Sequence, residues 1–163
     1  MSIEIEVVDT TETPTAIVSG ESVPASKLPE FYDHAFNAVF AAIESVGLKP
    51  SGPAYGLYTA MGEGDDPHFD LEVGVPIGSA IDGAIDVPGH ETVFASELPA
   101  GRAAKYRHVG SYDGLGQAWA EFMSALAERG LAAGQPRWEV YVTEPTPVAN
   151  PAEMITELYC ILR

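Results

Sequence analysis

The sequence predicts an α+β domain in which one strand-helix-strand-strand unit occurs twice. Three observations carry this: a weak internal repeat, a hydrophobic period that changes in the same order in each copy, and a glycine at the end of each helical stripe. At an offset of about 83 residues, Val39–Tyr58 lies over Phe122–Tyr141. The overlay matches Ile43 with Leu126, Gly47-Leu48 with Gly130-Leu131, Pro53 with Pro136, and Tyr58 with Tyr141, and it sets Tyr55 against Trp138. With a small insertion it continues, bringing Glu72 over Glu157, and upstream Pro14–Ile17 falls over Gly101–Ala104. One domain therefore fills residues 1–163, with repeat one at about 1–77, a linker at about 78–90 and repeat two at about 91–163.

Each copy opens with a short strand. Thr15–Ser19 is β-branched and bounded by Pro14 and Gly20. A helix follows, marked by Phe36, Val39, Phe40, Ile43 and Val46 in copy one and by Leu115, Trp119, Phe122, Met123 and Leu126 in copy two. Gly47 and Gly130 stand where a left-handed residue would close the helix, and a Pro-containing turn follows each. Two strands complete each unit: Tyr55–Ala60 and Phe69–Ile77 in the first, Trp138–Thr143 and Met154–Leu162 in the second. The Gly-, Asp- and Pro-rich stretch Gly78–Gly89 is the connection, with room for a short hairpin. Ser111 or Asp113 in HVGSYDG is placed to cap the second helix. Both helices are expected on one face of a largely antiparallel sheet, with pseudo-twofold symmetry and a central groove on the other face.

Alternation sorts each strand into a covered and an open face. Phe69, Leu71, Val73 and Val75 mark the covered side of one strand, leaving His68, Asp70, Glu72 and Gly74 open. Thr156, Leu158, Cys160 and Leu162 mark the covered side of the last strand, leaving Glu157 and Tyr159 open. By the same rule Trp138, Val140 and Val142 pack, while Glu139, Tyr141 and Thr143 face the groove, as do Gly56 and Tyr58 in copy one. Trp119 and Trp138 read as core, with Trp119 able to form a pocket wall. Acids and tyrosines thus converge, and a carboxylate among aromatic rings suits a lipophilic cation: the rings supply apolar area and negative faces, the acid neutralises the charge.

Composition limits the alternatives. Eight Lys and Arg against 24 Asp and Glu give a formal net charge of −16, which repels a nucleic acid backbone or an anionic membrane. No apolar run reaches the roughly 20 residues of a membrane span, and MSIEIEVVDT lacks a signal peptide's basic and apolar regions, so a cytoplasmic location is expected. His34, His68, His90 and His108 fall on different elements without ligand spacing, so no metal or other cofactor is expected. Cys160, the single cysteine, reads as a buried inert thiol. Nucleophile-elbow, phosphate-loop and dinucleotide fingerprints are missing.

RHVGSYDGLGQAW, the Gly130-Leu131 helix end, PRWEVYVTEP and ITELYCIL, in that order, resemble the second half of the GyrI-like small-molecule-binding family, which is also the effector-binding domain of AraC-type and MerR-type multidrug regulators. FDLEVGVPI resembles the family's strand before its central connection, so the resemblance spans essentially the whole chain. It implies a duplicated strand-helix-strand-strand (SHS2-type) fold that binds amphipathic, often cationic, aromatic compounds. It also implies that Glu139, in the W-E-x-Y strand, lies at the pocket floor with Tyr141 beside it. Family regulators carry a fused helix-turn-helix domain; here the family-like region begins within the first residues, so a stand-alone member is expected. The leading expectation is a binder of hydrophobic, cationic small molecules, with Glu139 as charge partner and Tyr58, Tyr141, Tyr159, Glu157, Glu72, Trp119 and Trp138 around it. One alternative is a hydrolase of electrophilic, cyclopropane-type compounds, with Glu139 activating water and Tyr141 as acid. Another is a protein-interaction role such as gyrase inhibition.

Overall fold

The structure is a computed structural model that describes residues 3–62, 64–143 and 150–163. Along the chain run β1 (Glu6–Thr10), β2 (Thr13–Pro24), α1 (Leu28–Ser45), β3 (Tyr55–Met61), β4 (His68–Pro76), β5 (Ala84–Ile85), β6 (Val93–Leu98), β7 (Gly101–Val109), α2 (Leu115–Glu128), β8 (Ala133–Tyr141) and β9 (Ile155–Leu162). Within each unit the strands pair antiparallel. The chain divides into two compact units, Glu12–Pro99 and a second made of Met1–Thr11 with Ala100–Arg163.

Both units follow the repeat. In the first, β2-α1-β3-β4 gives the strand order β3-β4-β2, extended by β6 and β5; in the second, β7-α2-β8-β9 gives β8-β9-β7, extended by β1. The strand-helix-strand-strand plan is therefore present twice. Several elements run longer or elsewhere than the sequence pattern indicates. β2 continues to Pro24 through a register shift between Gly20 and Val23, and β8 begins at Ala133 and ends at Tyr141. The strands β1 and β6 carry no clear alternation, and only β5, which pairs with β6, falls within the expected linker. Glu144 and Pro145, the end of the PRWEVYVTEP motif, lie outside the described residues.

The helix ends match their glycines. Gly47 (φ 74°) and Gly130 (φ 68°) adopt the left-handed conformation that a side chain would strain. Leu48 N–H donates to the Ile43 carbonyl and Gly47 N–H to Glu44; Leu131 N–H donates to Leu126 and Gly130 N–H to Ala127. These are paired Schellman closures, the same in both copies. The start of α2 departs from expectation: neither Ser111 nor Asp113 caps it with a side chain. A 3-10 turn, Tyr112–Gly114, leads in instead, and Gly114 stands at the N-cap.

Each helix covers one face of its own strands. α1 buries Ala35, Ala38, Val39, Ala42 and Ile43 against Ala16, Val18, Tyr58, Leu71, Val73 and Val75. The small alanines bring the helix close to the sheet, so the stripe shifts from the one the large residues suggest: Phe40 is 44% exposed and Val46 49%. α2 buries Ala118, Phe122, Ala125 and Leu126 against Ala104, Leu158, Cys160 and Leu162, with Trp119, Leu115 and Met123 packed alongside. Cys160 is buried as expected, and burial pushes its thiol pKa up. Phe122→Ala should cost about 3–5 kcal/mol, whereas Phe40→Ala should cost about 1 kcal/mol at most. Urea denaturation midpoints check both, and equal losses would mean that α1 buries the Phe40 side after all.

Candidate functional site

In an antiparallel pair, directly opposed residues point to the same face. Register therefore fixes which side chains lie under α2. Tyr106 of β7 opposes Leu158 of β9, which opposes Glu139 of β8; in the next row, His108 opposes Thr156, which opposes Tyr141. Leu158 belongs to the α2 core, so both rows, Glu139 and Tyr141 included, lie on the helix-covered face.

This reverses the expectation for β8. Glu139 and Tyr141 were expected to be open and Trp138 packed under the helix, but Trp138 is on the opposite face, stacked on Tyr159 with centroids 5.0 Å apart and planes at 2°. The reason is that β8 is buried on both faces: Trp138 is 3% exposed and Glu139 6%. Apolar alternation then reports burial without saying which face the helix takes. Val142 and Thr143, expected to continue the pattern, follow the strand; Val142 is 40% exposed, and Thr143 Oγ1 accepts from Ile155 N–H. Tyr58 is corrected in the same way, since it packs on the α1 side of its unit.

The Glu139 carboxylate is held at both ends. Trp119 Nε1 of α2 donates to Oε1 at 2.7 Å, and the Tyr141 hydroxyl donates to Oε2 at 2.7 Å. Tyr112, from the turn before α2, meets the Tyr141 ring edge-on at 5.7 Å, while Phe122 lies 5.7 Å from Trp119 and 6.0 Å from Tyr106. Both donors are neutral. They orient and partly stabilise the negative charge without cancelling it, and among the described residues no Lys or Arg is paired with Glu139. Burial consequently pushes the carboxyl pKa up, against the downward pull of the Tyr141 and Trp119 hydrogen bonds and of nearby His108. Burial, then the charge of Glu139, raises the Tyr112 hydroxyl as well.

The remaining candidates fall into separate groups. Glu157 and Tyr159 occupy the face away from α2, as expected, but Glu157 Oε2 is already met by Lys105 Nζ at 2.9 Å and Arg107 at 3.3 Å. Lys105 also sits 5.8 Å from the Tyr159 ring centre. In the other unit, Glu72 lies on the face away from α1 and accepts from Ser96 Oγ at 2.6 Å. Tyr58 lies on the opposite face, with its hydroxyl 2.7 Å from that of Tyr32 and its ring 5.6 Å from Phe69. Of the eight candidates, Trp119, Glu139 and Tyr141 form one constellation, and Trp138, Glu157 and Tyr159 another. Sequence reasoning did not single out His108, Tyr112 or Thr156 as site residues. The HVGSYDG turn signals only capping residues, and strand register alone brings His108 beside Thr156. Among the described residues no group of three or more His, Cys, Asp or Glu could hold a metal ion, and no helix is long and apolar enough to cross a membrane.

The burial of Glu139 sets the sign of its pH dependence. A carboxyl whose pKa is higher in the folded than in the unfolded chain costs stability above the folded value, and that cost disappears as pH falls to the unfolded value of about 4.3. Glu139→Gln keeps an acceptor for Trp119 and a partner for Tyr141 while removing the charge. It should raise the melting temperature at pH 8, with the gain over the wild type shrinking toward pH 4.5. Circular-dichroism melts across that range test this; a wild type more stable than the variant at pH 8 would refute it.

The family model described as the GyrI-like small molecule binding domain matches residues 3–163. Among curated proteins no sequence relative matches the chain. Solved structures with the same fold include the C-terminal domain of EcmrR, with TM-score 0.79 and 17% identity over 100% of this chain and 99% of that one. A hydrolase from Listeria innocua aligns with TM-score 0.68 and 17% identity, over 99% of this chain and 93% of its own. SAV2435, solved bound to tetraphenylphosphonium, aligns with TM-score 0.66 and 13% identity, over 99% and 94%. At these identities the likeness is one of fold.

Proposed function

Because the chain belongs to the GyrI-like small molecule binding domain family, we propose that its ligands are hydrophobic, cationic aromatic compounds and that Glu139 is their charge partner. One observation carries this reading: a carboxylate that is 6% exposed, held by two neutral donors and ringed by Trp119, Tyr141 and Tyr112. A buried unpaired charge is costly, and a lipophilic cation offsets it while the rings supply apolar contact and cation–π attraction. The tetraphenylphosphonium held by SAV2435, which shares the fold, is a ligand of that class. The net charge of −16 attracts cations to the protein at long range, whereas Glu139 selects them at short range. The biological role is sensing or sequestration of such compounds within a cell.

A second reading, hydrolysis of an electrophilic small molecule, draws on the short Tyr141–Glu139 hydrogen bond and the raised carboxyl pKa, and on the hydrolase from Listeria innocua that shares the fold. A carboxylate tuned upward can accept a proton from water, and the adjacent phenol can donate one to a leaving group. Turnover seen by chromatography, abolished in Glu139→Gln with binding retained, would establish it over the first reading.

Titration with tetraphenylphosphonium followed by calorimetry, at two salt concentrations, tests the leading reading. Saturable binding to the wild type should weaken about tenfold or more in Glu139→Gln, a change of about 1.4 kcal/mol or greater. The ratio between the two proteins should change little with salt, because a buried charge is poorly screened. Equal binding by both proteins would remove Glu139 from the role.

A further inference from the structure

Thr156 is fully buried, and its hydroxyl has no hydrogen-bond partner among the described residues. It lies on the α2 side of β9, directly opposite Tyr141 on one neighbouring strand and His108 on the other. Neither satisfies it: the Tyr141 hydroxyl is turned onto Glu139, and His108 Nε2 faces the Ser111 carbonyl at 3.1 Å. Burying a hydroxyl without a partner is unfavourable, so its presence calls for a reason.

The internal repeat shows that packing does not supply that reason. In the other unit, Tyr58 holds the place of Tyr141, and the residue opposite Tyr58 is Leu71, an apolar side chain in the α1 core. Gly56 holds the place of Glu139, and Phe36 that of Trp119. The copy without the acid has leucine at this position; the copy with the acid has threonine. Thr156 is also a diagonal neighbour of Glu139 on the same sheet face, a separation of roughly 7 Å between such positions that one small group can bridge.

Building on the cation reading above, we propose that Thr156 is a specificity residue and that the ligand of Glu139 is a cation bearing at least one N–H, such as an amine or amidine protonated at neutral pH. The charge rests against Glu139 and an N–H is accepted by Thr156 Oγ1. The hydroxyl acts as acceptor because a cationic head presents donors and no lone pair. A fully substituted cation satisfies Glu139 but leaves the threonine hydroxyl unpaired, so the pocket discriminates against it.

The test compares N,N-dimethyl-1-naphthylmethylammonium, which carries one N–H, with its N,N,N-trimethyl counterpart, which carries none, by calorimetry at pH 7. The proteins are wild type, Thr156→Val, Thr156→Ser and Glu139→Gln, with Thr156→Ala as a substitute for the valine variant if that fails to fold. The wild type should prefer the N–H ion by about fivefold or more. Thr156→Ser should keep the preference, and Thr156→Val should lose it while still binding the trimethyl ion. A preference that persists in Thr156→Val would come from the size of the extra methyl and would overturn the proposal, as would equal binding of the two ions by the wild type. Either result leaves the cation reading standing, provided that binding still weakens in Glu139→Gln. Failure of the wild type to bind either ion would overturn both.

Discussion

The carboxylate of Glu139, set between a helix and the sheet it covers, constrains everything around it. Its two oxygens take hydrogen bonds from Trp119 on α2 and Tyr141 on β8, so the helix must lie at the rotation and height that bring the indole N–H to the strand. Phe122, one turn further along α2, then drops into the core beside Leu158, and Leu126 follows below it. The Schellman closure at Gly130 ends the helix where Leu131 can still pack on that core. In a low-dielectric interior the two hydrogen bonds are strong, and losing either would expose the charge to an apolar surrounding. Polar and apolar packing therefore reinforce one geometry.

The two copies share a scaffold and differ in what they place on it. Phe36, Gly56, Tyr58 and Leu71 occupy in one unit the places that Trp119, Glu139, Tyr141 and Thr156 occupy in the other. In the first unit the tyrosine hydroxyl meets that of Tyr32 on α1, and the ring packs in the α1 core. In the second, the same tyrosine meets a carboxylate, and the matching helix residue carries an indole N–H. A tyrosine–tyrosine contact in one copy stands where the other has a tyrosine–carboxyl contact, with the backbone plan intact.

That comparison also explains what the sequence made legible. Fold class, the repeat and the helix ends follow from local signals: the change of hydrophobic period, and glycines that alone adopt φ near +70° without strain. The alternation in β9 reads correctly because its two faces differ sharply, with Thr156, Leu158, Cys160 and Leu162 buried and the residues between them half-buried. In β8 it fails, because Trp138 is buried by stacking on Tyr159 while Glu139 is buried by hydrogen bonding under α2. Residue type marks Trp138 as core and Glu139 as surface, and both are buried. The shift of the α1 stripe has a related cause: alanines at 35, 38 and 42 make the closest contact, and large residues such as Phe40 are left outside. Thr156 and His108 could not be singled out at all, since their adjacency exists only once β7, β9 and β8 are in register.

A site of this kind ties ligand affinity to folding. In the free protein burial raises the Glu139 pKa and so opposes its charged form, and the Thr156 hydroxyl has no hydrogen-bond partner among the described residues. Both features reduce the stability of the unit that carries them. On the proposed reading, a cation that fits between them removes both deficits at once, so the free energy withheld from folding reappears as binding energy, and ligand stabilises the fold in proportion to its affinity. The other copy has glycine and leucine at these places. On the proposed reading, the features that lower the stability of the second unit are the same ones that let it distinguish one small molecule from another.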